Sequence, residues 1–289
     1  MLVILFCMAA GFLAHKLGYL GGETDQKLCR LILGITMPCL ILGSVSAGDT
    51  LPSAGEILSI LKVAAVFYGL GFLTAAFVPR LLGGTAKQQG VWRYCLVFAN
   101  MAFIGYPVSV ALFGQDALFY AVILVLPFNL LSFSLGPLML AGQAKFRWQQ
   151  LTSPCVIAAV AALVVALCRL NIPALAGECL NFVGSLTTPL SLLVVGSLLA
   201  DLPFGRAFTS LRLWILTALR LLILPGVLWL VLKWTGIGTP LVDDIAVILM
   251  ATPAALNGSM LAMEYGGDTE CMAQSIFLTT LMSILTIPV

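Results

Sequence analysis

Charge is scarce in this chain. Only 9% of its 289 residues are Asp, Glu, Lys or Arg, against roughly 25% in soluble proteins, which excludes a water-soluble domain. The net charge of +2 is too small to suggest a nucleic-acid partner. There is one histidine, His15, and the eight cysteines contain no CxxC pair, so no zinc site can be assembled at a workable spacing. The cysteines read as small apolar packing residues, with a Cys168–Cys179 disulfide near the outer surface as the alternative. No Walker A sequence is present, so ATP does not drive the protein directly. Met1 to Ala14 has no basic leading segment and no small-residue cleavage site before His15-Lys16, so it reads as a short first span and not as a cleaved signal.

What is abundant is apolar sequence: 61% of residues, with a mean hydropathy of +1.10. Apolar runs of about 20 residues recur, each long enough to cross a hydrocarbon core about 30 Å thick. Gly, Pro and charge divide them into ten expected spans, at 1–15, 29–47, 57–78, 92–113, 117–140, 150–168, 176–199, 208–232, 242–263 and 269–289. The expected fold class is an all-α polytopic membrane protein with ten transmembrane helices. One set of loops holds ten Lys and Arg residues, among them Lys16, Lys27, Arg30, Arg80, Lys145, Arg147 and Arg212, while the other holds Arg169 and Lys233. The positive-inside rule makes the first set cytoplasmic and puts both termini outside. The acidic loop at Glu264, Asp268 and Glu270 runs against the pattern, but acidic residues weigh little in the rule.

With five spans per half, residues 1–140 (spans 1–5) and 150–289 (spans 6–10) enter the membrane from opposite sides as two inverted repeats. Four echoes at offsets of 151 to 153 residues support the pairing. They are Thr36-Met37-Pro38 with Thr187-Thr188-Pro189, Phe113 to Asp116 with Tyr265 to Asp268, Pro137 with Pro288, and Lys16-Leu17-Gly18 with Arg169-Leu170-Asn171. Spans 4 and 9 are both interrupted. The first break runs from Asn100 through Gly105 to Pro107, the second from Thr252 and Pro253 through Asn257 to Ser259. A helix broken inside hydrocarbon frees backbone N–H and C=O groups that need partners, and a matched pair of breaks points to a carrier's binding site. Crossing at their breaks, spans 4 and 9 would bring Asn100, Asn257 and Ser259 together. The half-helix N-termini there carry partial positive charge and N–H donors, which favours a small organic anion.

Thr36, Pro38, Thr187, Thr188, Pro189 and Ser191 in spans 2 and 7 either face this crossing or serve helix packing. Arg220, near the middle of span 8, costs about 2.5–3.5 kcal/mol on insertion scales. It either meets an anionic solute, caps carbonyls at a broken helix, or snorkels inward. Ser275, Thr279 and Ser283 form one polar stripe on span 10, and Asn129 is a further polar group in span 5.

The stretches Phe98-Ala99-Asn100 through Gly105-Tyr106-Pro107, Pro189 to Leu192 through Gly196, Arg220 to Pro225, Pro253 through Tyr265-Gly266, and Thr279 to Ser283 resemble the auxin efflux carrier family, which includes the plant PIN proteins. The resemblance covers nearly the whole chain, and its specificity lies in the order and spacing of the motifs. It implies a two-repeat fold like that of bile-acid/sodium symporter relatives. It also implies a scaffold of spans 1, 2, 6 and 7, a transport domain of spans 3–5 and 8–10, elevator-like alternating access and a homodimer joined through the scaffold. The substrate centre would be the crossing, with Asn100, Pro107 and Pro253. About ten residues separate spans 5 and 6, so the long cytoplasmic loop of the plant members is missing. Short bacterial relatives are associated with malate, malonate and similar acids. The expected function is therefore secondary transport of small organic anions, carboxylates or auxin-like acids, across the plasma or inner membrane. No enzyme activity and no resident cofactor are expected, and coupling to Na+ or H+ is left open. Alternatives are a solute-gated channel, a membrane sensor, or an intramembrane enzyme, whose geometric roles the sequence does not fill.

Overall fold

The structure, a computed structural model, describes residues 2–43, 45–46, 54–114, 116–141, 154–168, 170, 172–200 and 208–287. These residues are helical almost throughout, with no strand among them. The elements are α1 (Leu2–Lys16), α2 (Gly22–Leu31), α3 (Met37–Gly43), α4 (Ala54–Leu82), α5 (Ala86–Val97), α6 (Tyr106–Phe113), α7 (Asp116–Leu140), α8 (Pro154–Leu167), α9 (Ala174–Ser185), α10 (Thr187–Ala200), α11 (Leu211–Ala218), α12 (Leu224–Thr235), α13 (Pro240–Met250), α14 (Asn257–Tyr265) and α15 (Thr269–Thr286). Four stretches are long and apolar enough to cross a membrane on that measure alone: 22–43, 55–82, 123–140 and 211–235. The loop holding Lys145 and Arg147, and also Arg169, Arg206 and Pro288, lie outside the described residues.

Most helices begin and end within a few residues of the expected spans. The main departure is α2, which starts at Gly22, seven residues before the expected start of span 2 at 29. The segment GETDQKLCRL is polar enough to read as a loop, yet Asp25, Cys29, Ile32 and Thr36 recur at helical spacing and are all buried.

Three wide π-helical turns, Ile32–Thr36, Met101–Gly105 and Leu219–Ile223, interrupt the helices. Each ends two residues before a proline: Pro38, Pro107 and Pro225. A proline has no N–H to return to the fourth carbonyl back. In each case the residue before it reaches one carbonyl further: Met37 N–H to Ile32 O, Tyr106 N–H to Met101 O, and Leu224 N–H to Leu219 O. The extra residue per turn keeps the ladder paired while shifting the helix face.

In a bilayer, burial against lipid contributes little between helices, so close backbone approach does more of the holding. α1 lies along α10 in this way. A Cβ on Gly196 would fall on the Met8 carbonyl oxygen, and one on Gly11 would fall on that of Leu193. α3 packs on α8 and α9, where Gly184 lies against the Leu40 backbone. α4 to α7 pack among themselves and against α13, and α12 packs on α4 and α13. α15 joins α5, α11 and α14. Connections between the two groups run through α2 to α14, α7 to α8, and α10 to α14 and α15. Large apolar side chains such as Phe6, Phe77, Phe182 and Trp234 cover the outside, an exterior that calls for lipid. Lys233 holds its ammonium 4.7 Å from the Trp229 ring centroid, the pairing expected at a membrane–water boundary.

Candidate functional site

α5 is started by a capping box, Thr85 with Gln88, and runs into the first break. There Phe98 is extended (φ −105°, ψ 115°), and Asn100 follows at φ −79°, ψ 62° before the π turn opens. α13 starts on the Thr239 hydroxyl with Pro240 in its first turn, and stops at Ala251. Between Ala251 and Asn257 the chain carries Pro253, whose missing N–H breaks the ladder.

The two breaks meet. Ala99 and Ala254 form an antiparallel bridge. Asn100 N–H donates to Pro253 O at 2.7 Å, and Ala255 N–H donates to Phe98 O at 3.0 Å. Each unwound segment thus satisfies the other's freed peptide groups, as the absence of water at that depth demands. Ala254 N–H donates to Thr279 Oγ1 on α15 at 3.2 Å.

Arg220 closes the arrangement. It is fully buried in the π turn between α11 and α12. Its Nη1 donates to Leu96 O at 2.8 Å and its Nε donates to Thr252 O at 3.3 Å. These carbonyls end α5 and follow α13, so one guanidinium sits at the negative ends of both incoming half-helices. Nη2 has no protein partner. On the outgoing side, the π turn leading into α6 and the start of α14 have no side-chain cap, and at α14 the Gly258 and Ser259 N–H groups turn to Ala255 O and Leu256 O.

The model of the family described as "membrane transport protein" matches residues 1–147 and 137–289, which is the whole chain. The chain belongs to this family, that of the auxin efflux carriers. It is 26% identical over 301 residues to an uncharacterised transporter of Methanocaldococcus jannaschii, covering 99% of this chain and 95% of the relative. It is 24% identical over 295 residues to an uncharacterised transporter of Methanothermobacter thermautotrophicus, with the same two coverages. A Rhizobium meliloti protein provisionally named a malonate transporter is 23% identical over 290 residues, covering 96% of this chain and 89% of the relative.

Within this transporter the expected site residues divide by what holds them. Asn100 Nδ2 and Ser259 Oγ are buried without a protein partner. Asn257 is engaged elsewhere: Tyr94 Oη–H donates to its Oδ1 at 2.9 Å, and its Nδ2 donates to Ser132 Oγ at 3.1 Å. Ser132 Oγ–H then closes the ring on Tyr94 Oη at 2.9 Å. The bare Cα of Gly258 lets the Tyr94 ring approach, since a Cβ there would lie 2.6 Å from Cε1. Ser191 Oγ–H donates to its own helix at Thr187 O (2.6 Å) and lies 3.8 Å from Met260 Sδ on α14. Thr36 and Thr187 are buried with unpartnered hydroxyls. Gly105 lies under Leu249 of α13. Pro253 supplies the carbonyl that receives Asn100 N–H. Pro107 begins the second residue of α6; its side chain and those of Thr188 and Asn129 lie outside the description. Of the span 10 stripe, Ser275, Thr279 and Ser283 donate to their own helix. Cys168 and Cys179 are free, and among the described residues no three His, Cys, Asp or Glu side chains gather as metal ligands.

Tyr94 and Ser132 were not expected from the sequence, because Tyr94 follows Arg93 at the polar start of the expected span. Tyr94→Phe removes one member of the ring and leaves Asn257 Oδ1 unpaired, which costs about 1–3 kcal/mol. Thermal unfolding in detergent should show a lowered midpoint, and Ser132→Ala added to Tyr94→Phe should cost less than the sum of the two single changes.

A cavity of about 200 Å3 lies beside α14, between α2, α7 and α8. Arg30 and Glu264 stand at it with Nε and Oε2 3.8 Å apart.

Proposed function

We propose that this transporter is a secondary carrier of small organic anions, with carboxylates such as malate or malonate as the first class to test. The observation that carries the reading is the crossing. Two uncapped helix starts, the unpartnered Asn100 Nδ2 and Ser259 Oγ, and the remaining Arg220 donor lie around one pair of unwound segments. A carboxylate can take N–H and guanidinium donors together, as helix-terminus sites do. The relative named for malonate supports the same class.

The contact pattern supports an elevator division. α1 to α3 with α8 to α10 would be the fixed scaffold, and α4 to α7 with α11 to α15 would carry the solute. The pairing of α1 with α10, matched by that of α3 with α8, is what an inverted repeat of residues 1–140 and 150–289 would produce. Both termini would lie outside, and a homodimer would form on the scaffold. The cavity bordered by Arg30 and Glu264 then lies between scaffold and moving part, on the cytoplasmic path.

Asn100→Ala should cut malonate or malate counterflow in proteoliposomes about tenfold or more, the loss expected when a hydrogen bond to a charged ligand goes, and Pro253→Ala should lower it as well, because the restored N–H lets the helical ladder run on through the break. The amount of folded protein should not fall. Wild-type rates in both variants would remove the crossing from the mechanism. Flux that shows no saturation and no counterflow would indicate a channel.

A further inference from the structure

Among residues whose side chains are described, Asp25 is the one buried carboxylate, 1% exposed. A carboxylate held inside a membrane protein is expensive and serves a purpose by default. Asp25 lies in the first turn of α2, where its Oδ1 accepts Gly21 N–H at 3.2 Å. Its Oδ2 accepts Ser197 Oγ–H from α10 at 2.7 Å. Ser197, fully buried, lies 2.8 Å from Nδ1 of His15 at the end of α1. Ser197 has one proton and gives it to Asp25, so it must receive from His15. The neutral imidazole is therefore the Nδ1–H form, and the three groups make one directed hydrogen-bond path from a half-buried ring to a buried acid.

We propose that His15, Ser197 and Asp25 form a proton-binding site. A proton taken up at Nε2 makes His15 an imidazolium. The Nδ1 proton can then pass to Ser197 Oγ as the Oγ proton passes to Asp25 Oδ2. The product is a neutral imidazole protonated at Nε2, an intact serine hydroxyl and a carboxylic acid; one proton has been bound and every bond is accounted for. Before the transfer the site holds one positive and one negative charge, and after it neither, so the bound proton is accommodated without net charge in the protein interior.

Among the described residues the charged neighbours are few. From α1, Lys16 donates to Ala200 O at 2.9 Å. On α2 itself, Lys27 pairs with Glu23 at 2.8 Å, and Arg30 faces Glu264. α14 brings Glu264 and Tyr265, while α10 and the Ile32–Thr36 turn bring no titratable side chain. One turn after Asp25, α2 touches α14 through Cys29 Sγ, 3.7 Å from Met263 Sδ. Proton occupancy therefore alters the anchoring of the helix that meets α14, and through it the crossing. This last link rests on the transport reading; the site itself does not.

A chain with one histidine has one imidazole to observe by NMR after 13C/15N-histidine labelling in nanodiscs. Before it binds the proton, at high pH, the wild-type ring should be protonated at Nδ1. Proton uptake at lower pH should convert it to the neutral Nε2–H ring, and Asp25→Asn, which has no carboxylate to receive the proton, should abolish that conversion. Ser197→Ala should return the neutral ring to the Nε2–H form. A wild-type ring protonated at Nε2 throughout, or a tautomer conversion that survives Asp25→Asn, overturns the site. If Asp25→Asn does not fold, the wild-type tautomer and Ser197→Ala still decide. None of these readouts needs flux, so failure of the proton site and failure of the transport reading are distinguishable. Ser197→Ala should also shift the pH profile of anion counterflow; an unchanged profile overturns the link to α14.

Discussion

Arg220→Gln will loosen the crossing and weaken anion binding together. The guanidinium pairs two carbonyls, Leu96 O and Thr252 O, that end helices inside the protein. Without it both lose their buried donor, at about 1–3 kcal/mol each. Relief of the arginine's own desolvation offsets part of this. A net loss of about 2–4 kcal/mol corresponds to a fall of the order of 10 °C in the thermal midpoint. Arg220→Lys keeps the charge but offers no planar fork, so it can serve one carbonyl well and not two. It should fall between wild type and Arg220→Gln in both unfolding and anion affinity. Ligand-induced stabilisation by malonate, read as the rise in thermal midpoint, separates the two effects. Equal losses of affinity in the Gln and Lys variants would assign Arg220 to holding the helices alone.

Gly196→Val will separate α1 from α10. Its Cβ would fall on the Met8 carbonyl oxygen, which is backbone, and no rotamer change relieves that contact. The helices must move apart over their shared length, where overpacking costs about 1–3 kcal/mol and more when backbone is the obstacle. Cys7 on α1 is half-buried and reports the separation: its maleimide labelling should quicken several-fold. Gly11→Val should do the same, because its Cβ meets Leu193 O from the other side. Gly69→Val is the control, since nothing lies within 4 Å of a Cβ there. Unchanged labelling in both Gly11 and Gly196 variants would show that α1 is held by other contacts.

The helical ranges and the two breaks were legible because they are local. Apolar runs, prolines and glycines act on their own neighbours along the chain, so spans 4 and 9 could be marked as interrupted at Asn100–Pro107 and Thr252–Ser259. What closes the interruptions was not legible. Arg220 reaches Leu96, and Tyr94 reaches Asn257, across more than a hundred residues, and no spacing rule encodes a meeting of that kind. Pro38, Pro107 and Pro225 each follow a π turn, while Pro79, Pro127 and Pro137 sit within continuous helices. The residue type is the same, so the packing around each decides. The start of α2 was missed for a different reason. Glu23, Lys27 and Arg30 dominate the hydropathy of the segment, whereas the buried face is a single line through Asp25 and Cys29. Asn257 was read as a solute ligand on its chemistry; its amide proves to be engaged by Tyr94 and Ser132.

The antiparallel pair at Ala99 and Ala254 has a bearing on how such a protein changes its taste in solutes. Both alanine side chains are fully enclosed, and the contact between the two unwound segments is made by main chain, which every sequence possesses. That junction can therefore stay the same while preference drifts. Under the proposed carrier reading, discrimination between solutes falls to side chains such as Asn100 Nδ2 and Ser259 Oγ, whose exchange leaves the peptide splice untouched.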